Sequence, residues 1–161
     1  MNRQIVVIAV ATLSSTVLAG AAQPRGAVAH PAVKASSVVK VGIARVKGHK
    51  RKVLENGKDF PLYYYTKDTP THSACEASSV CKALWPALRV KRAPKVPGAV
   101  GTFSVFKGHL EYNGHLLYMF SGDHKPGVAN GQGYNKLWWV ATPGLKATAG
   151  KKSSGGSAGG W

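Results

Sequence analysis

Two tyrosine–aspartate pairs are the residues in this sequence that most directly suggest a chemical role. Tyr63 with Asp68, and Tyr118 with Asp123, both fit the spacing Tyr-x4-Asp. An aromatic ring followed by a carboxylate can hold a cation, a sugar or a cofactor. However, an aspartate directly after a strand commonly ends it by accepting hydrogen bonds from backbone N–H groups, and a buried tyrosine hydroxyl needs one partner. Because the pair occurs twice at equivalent places, we interpret both copies as structural.

The two cysteines, Cys75 and Cys81, form a second candidate site. In an oxidising compartment this pair predicts a disulfide, which would close a small loop and stabilise the fold by about 2 kcal/mol. The alternative is a metal or redox-thiol site in which His72 is a third ligand. A closed zinc site takes four ligands, and no haem-attachment Cys-x-x-Cys-His is present. We therefore predict a disulfide and no cofactor, with His72, Cys75 and Cys81 as candidate metal ligands in the alternative.

Other residues that could act in catalysis or metal binding are sparse. His109 and His115 lie on either side of an Asn-Gly turn, where they could approach each other across a hairpin and suit copper or zinc. The domain over residues 38–146 has no Gly-x-Ser-x-Gly motif, and only 6 residues of the chain are acidic. The segment Gly131-Gln132-Gly133 lacks a Walker lysine and a following helix, so it predicts a loop. We predict no catalytic residues and a protein that is not an enzyme.

Residues 1–22 have the pattern of a cleavable signal peptide. Arg3 gives a short positive region, and Ile5 to Leu18 is a mostly apolar run. This run is shorter than the about 20 apolar residues that a spanning helix needs, and small residues follow it. We expect cleavage after Ala21 or Ala22 and a secreted protein, extracellular or in the periplasm and envelope. No other segment is predicted to span a membrane.

The charge of the chain is strongly positive. It has 22 Lys and Arg against 6 Asp and Glu, a net charge of +16. Such a surface attracts polyanions, which outside a cell include phosphate-bearing wall polymers, anionic lipids, lipopolysaccharide and free DNA. Two basic stretches stand out, His49–Lys52 and Val90–Lys95. The partners indicated are anionic envelope polymers or other polyanions, with no specific nucleic-acid target. Oligomeric state does not follow from the sequence.

These candidate residues need a scaffold, and the composition predicts one folded domain between disordered tails. Residues 23–37 read as a flexible leader, and residues 147–161 as a tail rich in Gly and Ser. Between them, short apolar runs separated by Gly, Pro and Asn are typical of strands and turns. The best helical candidate is Ala74–Leu84. We predict an all-β or β-dominated domain over residues 38–146.

The sequence of this domain repeats itself, with a first copy at about residues 38–90 and a second at about 100–146. Each copy contains an Asn-Gly, a Tyr-x4-Asp motif and then a tryptophan, Trp85 or Trp138. Each Asn-Gly predicts a hairpin with a type I′ turn. Side chains of a strand alternate between faces, so equivalent residues should share a face. On one face we place Tyr63, Tyr65, Tyr118 and Phe120, and on the other Leu62, Tyr64, Leu117 and Met119.

With these motifs the chain resembles a family of bacterial secreted repeats of unknown function, described by Tyr-x4-Asp and often found in lipoproteins. The resemblance covers about residues 38–145. It extends to Leu84-Trp85-Pro86, Tyr112-Asn113-Gly114, Gly131-Gln132-Gly133 and Trp138-Trp139-Val140. Many relatives carry an acylated cysteine after the signal, where this chain has alanine in Leu18-Ala19-Gly20-Ala21. No lipid anchor is therefore expected.

The sequence thus indicates two tandem, pseudo-symmetric repeats containing β-hairpins in one compact domain. The function indicated is that of a secreted or cell-envelope protein of unknown biochemical activity, acting as a non-catalytic binding module. One alternative is a basic envelope protein that binds polyanions by charge. The other is a metal-binding or redox protein that uses the Cys75 and Cys81 region.

Overall fold

The computed structural model describes residues 37–148. The predicted signal peptide, the leader up to residue 36 and the tail from residue 149 lie outside the described residues. The fold is β-dominated, as predicted, with one short α-helix. The elements in chain order are β1 (Val39–Val46), β2 (His49–Asn56), β3 (Tyr63–Tyr65), α1 (Ser79–Leu84), β4 (Phe103–Phe106), β5 (His109–Tyr112), β6 (His115–Leu116), β7 (Val128–Ala129), a 3₁₀ turn (Tyr134–Lys136) and β8 (Trp138–Val140).

The strands form three small sheets, with the orders β2-β1-β7, β3-β8 and β4-β5-β6. All neighbours are antiparallel except β1 and β7. The sheets are joined by further backbone hydrogen bonds, among them Leu54 N–H to Ala141 O at 2.8 Å. None of the helices in residues 37–148 has the length and apolar character needed to cross a membrane. The tandem-repeat organisation stays a prediction.

The two long hairpins reverse at Lys-Gly pairs that the sequence analysis did not identify. β1 and β2 are joined by Lys47 and Gly48, with φ of 49° and 83°, and β4 and β5 by Lys107 and Gly108, with φ of 47° and 80°. Positive φ at both central residues is the geometry of a type I′ turn, which matches the twist of the flanking strands. A lysine at the first position is uncommon there, since non-glycine residues seldom adopt positive φ.

The predicted type I′ turn is present at one of the two Asn-Gly pairs, Asn113-Gly114. Asn113 and Gly114 have φ of 53° and 82°, and Tyr112 pairs with His115 across them. The type I′ prediction is wrong for Asn56-Gly57. There the Asn56 side chain accepts hydrogen bonds from Lys58 N–H at 2.9 Å and Phe60 N–H at 3.1 Å. This stabilises a wider turn, in which Asp59 instead takes the positive φ of 66°.

The predicted helix over Ala74–Leu84 is shorter than expected, since α1 begins at Ser79. Ser78 is its N-cap and accepts from Cys81 N–H at 3.3 Å. Upstream, Asp68 accepts from Ala74 N–H, and Ser73 from Glu76 N–H. These side-chain acceptors compete with helical hydrogen bonds and hold the preceding residues in turns.

The core consists of two clusters of buried side chains, and the predicted alternation of faces agrees with them. The first cluster contains Tyr63 and Tyr118, with Tyr65 and Phe120 packed against it. The second contains the residues assigned to the opposite face, Leu62, Leu117, Tyr64 and Met119. The segments around Tyr63 and Tyr118 therefore carry large side chains into both clusters.

Candidate functional site

The two Tyr-x4-Asp motifs exchange their hydrogen-bond partners. Tyr63 OH donates to Asp123 Oδ2 at 2.7 Å, and Tyr118 OH donates to Asp68 Oδ2 at 2.5 Å. The backbones of the two tyrosines also bond reciprocally, N–H to O, at 2.9 Å in both directions. Each tyrosine is thus paired with the aspartate of the other motif, which ties segments that lie far apart in the chain.

The remaining oxygens of these groups are also occupied. Asp68 Oδ1 accepts from Ala74 N–H and Asp123 Oδ1 from Asn130 N–H, both at 2.8 Å. Tyr63 OH further accepts from Gly131 N–H at 3.2 Å. Burial raises the pKa of the Asp68 and Asp123 carboxyls, and the hydrogen bonds that these carboxyls accept partly oppose this shift. Burial also raises the pKa of the Tyr63 and Tyr118 hydroxyls. Both oxygens of each carboxylate therefore accept a hydrogen bond from another part of the protein.

Trp85 and Trp138, the tryptophans of the two predicted copies, stack on each other beside these pairs. Their ring centroids are 3.9 Å apart and the rings are parallel within 1°. Phe120 stacks on Trp85 at 4.3 Å, and Tyr65 on Trp138 at 4.4 Å. A Cβ at Gly131 would lie 2.7 Å from Trp85 Cη2, so the loop at Gly131 packs directly on this stack. The stack is core rather than a binding surface, since Trp85 is only 1% exposed.

Cys75 and Cys81 form the predicted disulfide. It closes a small loop over the start of α1. With both sulfurs bonded to each other, neither is a thiolate that could bind a metal or react. The His72 side chain is exposed, and its backbone pairs with Thr69 in a tight turn. Within residues 37–148 no group of three or more His, Cys, Asp and Glu side chains is placed to hold a metal ion.

His109 and His115 are not brought together across a hairpin, as the copper or zinc hypothesis required. His109 pairs with Phe106, and its Nε2 lies 2.8 Å from Leu117 O. His115 pairs with Tyr112, and its Nε2 lies 3.0 Å from Lys146 O. A carbonyl only accepts, so both Nε2 atoms carry the proton. Both histidines therefore act as donors to the backbone.

The buried His109 predicts a pH-dependent stability. It is 2% exposed, and its Nδ1 has no hydrogen-bond partner among the described residues, the nearest carboxylate being Glu76 at 4.0 Å. Burial lowers the pKa of His109; Glu76 and Glu111 oppose this and Arg89 adds to it. The unfolded chain, with a histidine pKa of about 6.5, then binds the proton first as the pH falls. Stability due to His109 is present above that value and is lost as the pH falls towards the folded pKa.

We expect the free energy of unfolding, measured by urea denaturation between pH 7.5 and 5, to depend less steeply on pH in His109→Gln than in the parent. Burial also lowers the pKa of His115, so part of the slope should remain. His124→Gln is the control, because this side chain is exposed. Equal pH slopes for the parent and His109→Gln would contradict the prediction.

A surface groove of about 520 Å³ lies between the β1–β2 hairpin and β8. We call it the aromatic groove. Two of its residues are aromatic, Tyr64 and Trp139, which pair across β3 and β8 and so lie side by side on one face. Three are basic, and none of the described lining residues is acidic. The lining residues are Val46, Lys47, His49, Arg51, Tyr64, Gln132, Trp139, Val140, Thr142 and Leu145.

The basic residues line the groove because the first half of β2 is exposed. In β2, His49–Lys52 are all exposed and Val53–Asn56 are all buried. His49 pairs with Val46 and Arg51 with Ala44, so His49 and Arg51 share one face of the hairpin. These two side chains therefore lie along one wall of the groove.

Sequence reasoning found the basic stretch of this site but not its aromatic part. His49–Lys52 was singled out for its charge, whereas Val90–Lys95, the other basic stretch, does not line the groove. Tyr64 and Trp139 were assigned to strands and a family motif only. The signal that could have found them is a partly exposed aromatic on each of two paired strands, which requires knowledge of the pairing.

Comparison with known proteins bears on the region of the second motif. Residues 110–142 match the family described as a secreted repeat of unknown function. No curated protein and no protein of solved structure matches the chain. The match includes Tyr118, Asp123 and Trp138, and it agrees with an extracellular or envelope location. The family matched over residues 110–142 is the one that the Tyr-x4-Asp motifs of the sequence indicated.

Proposed function

We propose that this protein is a non-catalytic binding module, released from the cell after cleavage of its signal peptide, and that the aromatic groove binds an anionic ligand. The observation that carries the proposal is the composition of the groove, in which Tyr64 and Trp139 adjoin Lys47, His49 and Arg51 without an acidic neighbour. Pockets of 300–1,000 Å³ with aromatic walls and a few charged groups are typical ligand sites.

The carboxylates and thiols support a non-catalytic role. Asp68 and Asp123 accept hydrogen bonds on both oxygens, and Cys75 and Cys81 are disulfide-bonded. Both carboxylates are thus engaged in holding the fold, and neither sulfur is a thiolate nucleophile of the kind that covalent catalysis needs. The groove itself contains no carboxylate among its described residues.

A second candidate function is binding of polyanions by charge alone. It is favoured by the net charge of +16 and by a second exposed basic stretch, with Lys91, Arg92 and Lys95. The two functions differ in where the charge matters. In a site-specific module, affinity depends on the residues of the groove. In binding by charge alone, removing any exposed basic residue lowers affinity by a similar amount, and affinity falls as salt rises.

The test compares two double variants that remove the same charge. Lys47→Asn with Arg51→Ala removes two groove cations, and Lys107→Asn with Arg92→Ala removes two cations elsewhere. Lys47 and Lys107 hold the same turn position, and asparagine tolerates their positive φ. The readout is the dissociation constant for heparin and for inorganic polyphosphate at 0.15 M salt.

We expect the groove variant to bind about tenfold more weakly, since it loses two charge-assisted contacts, and the control variant about twofold more weakly. Equal losses in the two variants would favour binding by charge alone. Unchanged affinity in both would contradict both functions. The melting temperature of each variant is measured beside the affinity, so that loss of fold is recognised.

A further inference from the structure

A second depression adjoins the aromatic groove. This depression has a volume of about 340 Å³ and shares Lys47 and Gln132 with the groove. Its other described lining residues include Arg45 and Asn130, and again none is acidic. The Lys47 side chain lies over Gly133, because a Cβ there would be 3.4 Å from Lys47 Nζ. A cation thus stands between two adjoining concave surfaces, an arrangement that suits an extended chain better than a single small molecule.

The aromatic residues of the groove are held in place without a ligand. The rings of Tyr64 and His115 are in contact, with centroids 4.7 Å apart. His115 is itself held by the hydrogen bond from its Nε2 to Lys146 O. Trp139 pairs with Tyr64 across β3 and β8, and its ring lies over Gly133, where a Cβ would be 3.9 Å from Trp139 Cζ3. Both Tyr64 and Trp139 are partly exposed. A ligand with planar rings would meet aromatic surfaces that are already positioned, which lowers the entropy cost of binding.

The polar groups of the groove are suited to charged groups rather than to neutral hydroxyls. Lys47 and Arg51 only donate hydrogen bonds. Gln132 can do both, but its Oε1 already accepts from Val140 N–H at 2.8 Å. Thr142 and the Tyr64 hydroxyl are other neutral groups of the described lining that can accept a hydrogen bond. A sugar chain, whose hydroxyls need acceptors as well as donors, would find few partners, whereas phosphate oxygens only accept.

Planar rings joined by a negatively charged backbone describe single-stranded nucleic acid. We propose that the aromatic groove and the second depression together bind single-stranded nucleic acid outside the cell, without sequence preference. Bases stack on Trp139 and Tyr64, and phosphates contact Arg51 in the groove, Lys47 at the turn, and Arg45 in the second depression on the opposite face of the hairpin. Stacking platforms beside a positive groove are the usual way in which proteins hold unpaired strands. The inference rests on the proposed function and adds the class of ligand.

The experiment measures fluorescence anisotropy of labelled oligothymidylate, of 3 and of 12 nucleotides, with the secreted protein at several salt concentrations. Polyphosphate and heparin compete as polyanions without bases. We expect the 12-mer to bind at least tenfold more tightly than polyphosphate of equal charge and more tightly than the 3-mer. We expect log affinity to fall linearly with log salt, with a slope of about −2 for three phosphate contacts.

Substitution of the stacking residue gives the second readout. Trp139→Leu should weaken the 12-mer about tenfold, the effect expected on losing one stacked base, and should weaken polyphosphate much less. Trp139→Phe, which keeps an aromatic ring, should retain most of the parent's affinity for the 12-mer. Phe106→Leu is the control, because Phe106 is a partly exposed aromatic beside the other Lys-Gly turn and does not line the groove.

The outcomes separate this inference from the proposed function. Equal binding of the 12-mer and polyphosphate, with Trp139→Leu affecting both alike, would exclude nucleic acid as the specific ligand while the groove still binds anions. Tighter binding of heparin that depends on Trp139 would replace nucleic acid by an anionic glycan. Equal affinity for the 3-mer and the 12-mer would rule out a path through the second depression.

Discussion

Replacing Asp123 by alanine is expected to lower the free energy of unfolding by about 3–5 kcal/mol, a large part of the 5–15 kcal/mol typical of a domain. Asp123 is 8% exposed and accepts from Tyr63 OH and Asn130 N–H. Alanine leaves both donors without this acceptor, and each unsatisfied buried donor costs about 1–3 kcal/mol. Urea denaturation should show a lower midpoint with an unchanged slope.

The control for this prediction is an exposed carboxylate. Asp59 forms a surface ion pair with Lys40, and such pairs contribute about 0–1 kcal/mol. Asp59→Asn keeps a residue that tolerates the positive φ at this position. A loss in Asp123→Ala no larger than in Asp59→Asn would show that the buried carboxylate does not stabilise the fold.

Double-mutant cycles test the exchange of partners between the motifs. Tyr63→Phe combined with Asp123→Ala should show a coupling energy of about 1–3 kcal/mol, because the two side chains share a hydrogen bond. Tyr63→Phe combined with Asp68→Ala, which belongs to the same motif, should be nearly additive. The reverse result would place the hydrogen bond within one motif rather than between the two.

Replacing Trp85 by alanine should have a comparable effect on stability, about 3–5 kcal/mol. The ring is fully buried, stacks between Trp138 and Phe120, and meets Tyr63 edge-on at 5.3 Å. Alanine leaves a large cavity, because the neighbouring rings are held by their own contacts. The measurement is again urea denaturation, with near-ultraviolet circular dichroism to follow loss of the Trp85–Trp138 pair.

Two further variants make the Trp85 prediction independent of complete unfolding. Trp85→Phe keeps a stacked ring and should lose roughly half as much stability as alanine. Trp139→Ala removes the neighbouring tryptophan of β8, which is partly exposed and lies outside both core clusters. If Trp139→Ala destabilised the protein as much as Trp85→Ala, the core stack would not be the source of the effect.

Local features of the sequence were sufficient for the parts of the fold that depend on near neighbours. The Cys75–Cys81 disulfide and the Asn113-Gly114 turn each join residues a few positions apart, so composition and spacing predict them. Alternation placed Tyr63 with Tyr118 on one face, because strand periodicity holds whatever the partner strand. Asn56-Gly57 shows the limit, since its side-chain hydrogen bonds to Lys58 and Phe60 select another turn.

The sequence by itself determined that this is a basic, β-dominated chain with a disulfide and two Tyr-x4-Asp motifs, and that it resembles the secreted-repeat family matched over residues 110–142. Only the tertiary structure decided that Tyr63 bonds Asp123, 60 positions away, and Tyr118 bonds Asp68, 50 positions away. It also decided that Arg51 and Trp139 share a groove. The physical reason is that hydrogen bonds and grooves depend on which strands lie side by side, and strand pairing is set by packing of the whole core rather than by local propensity.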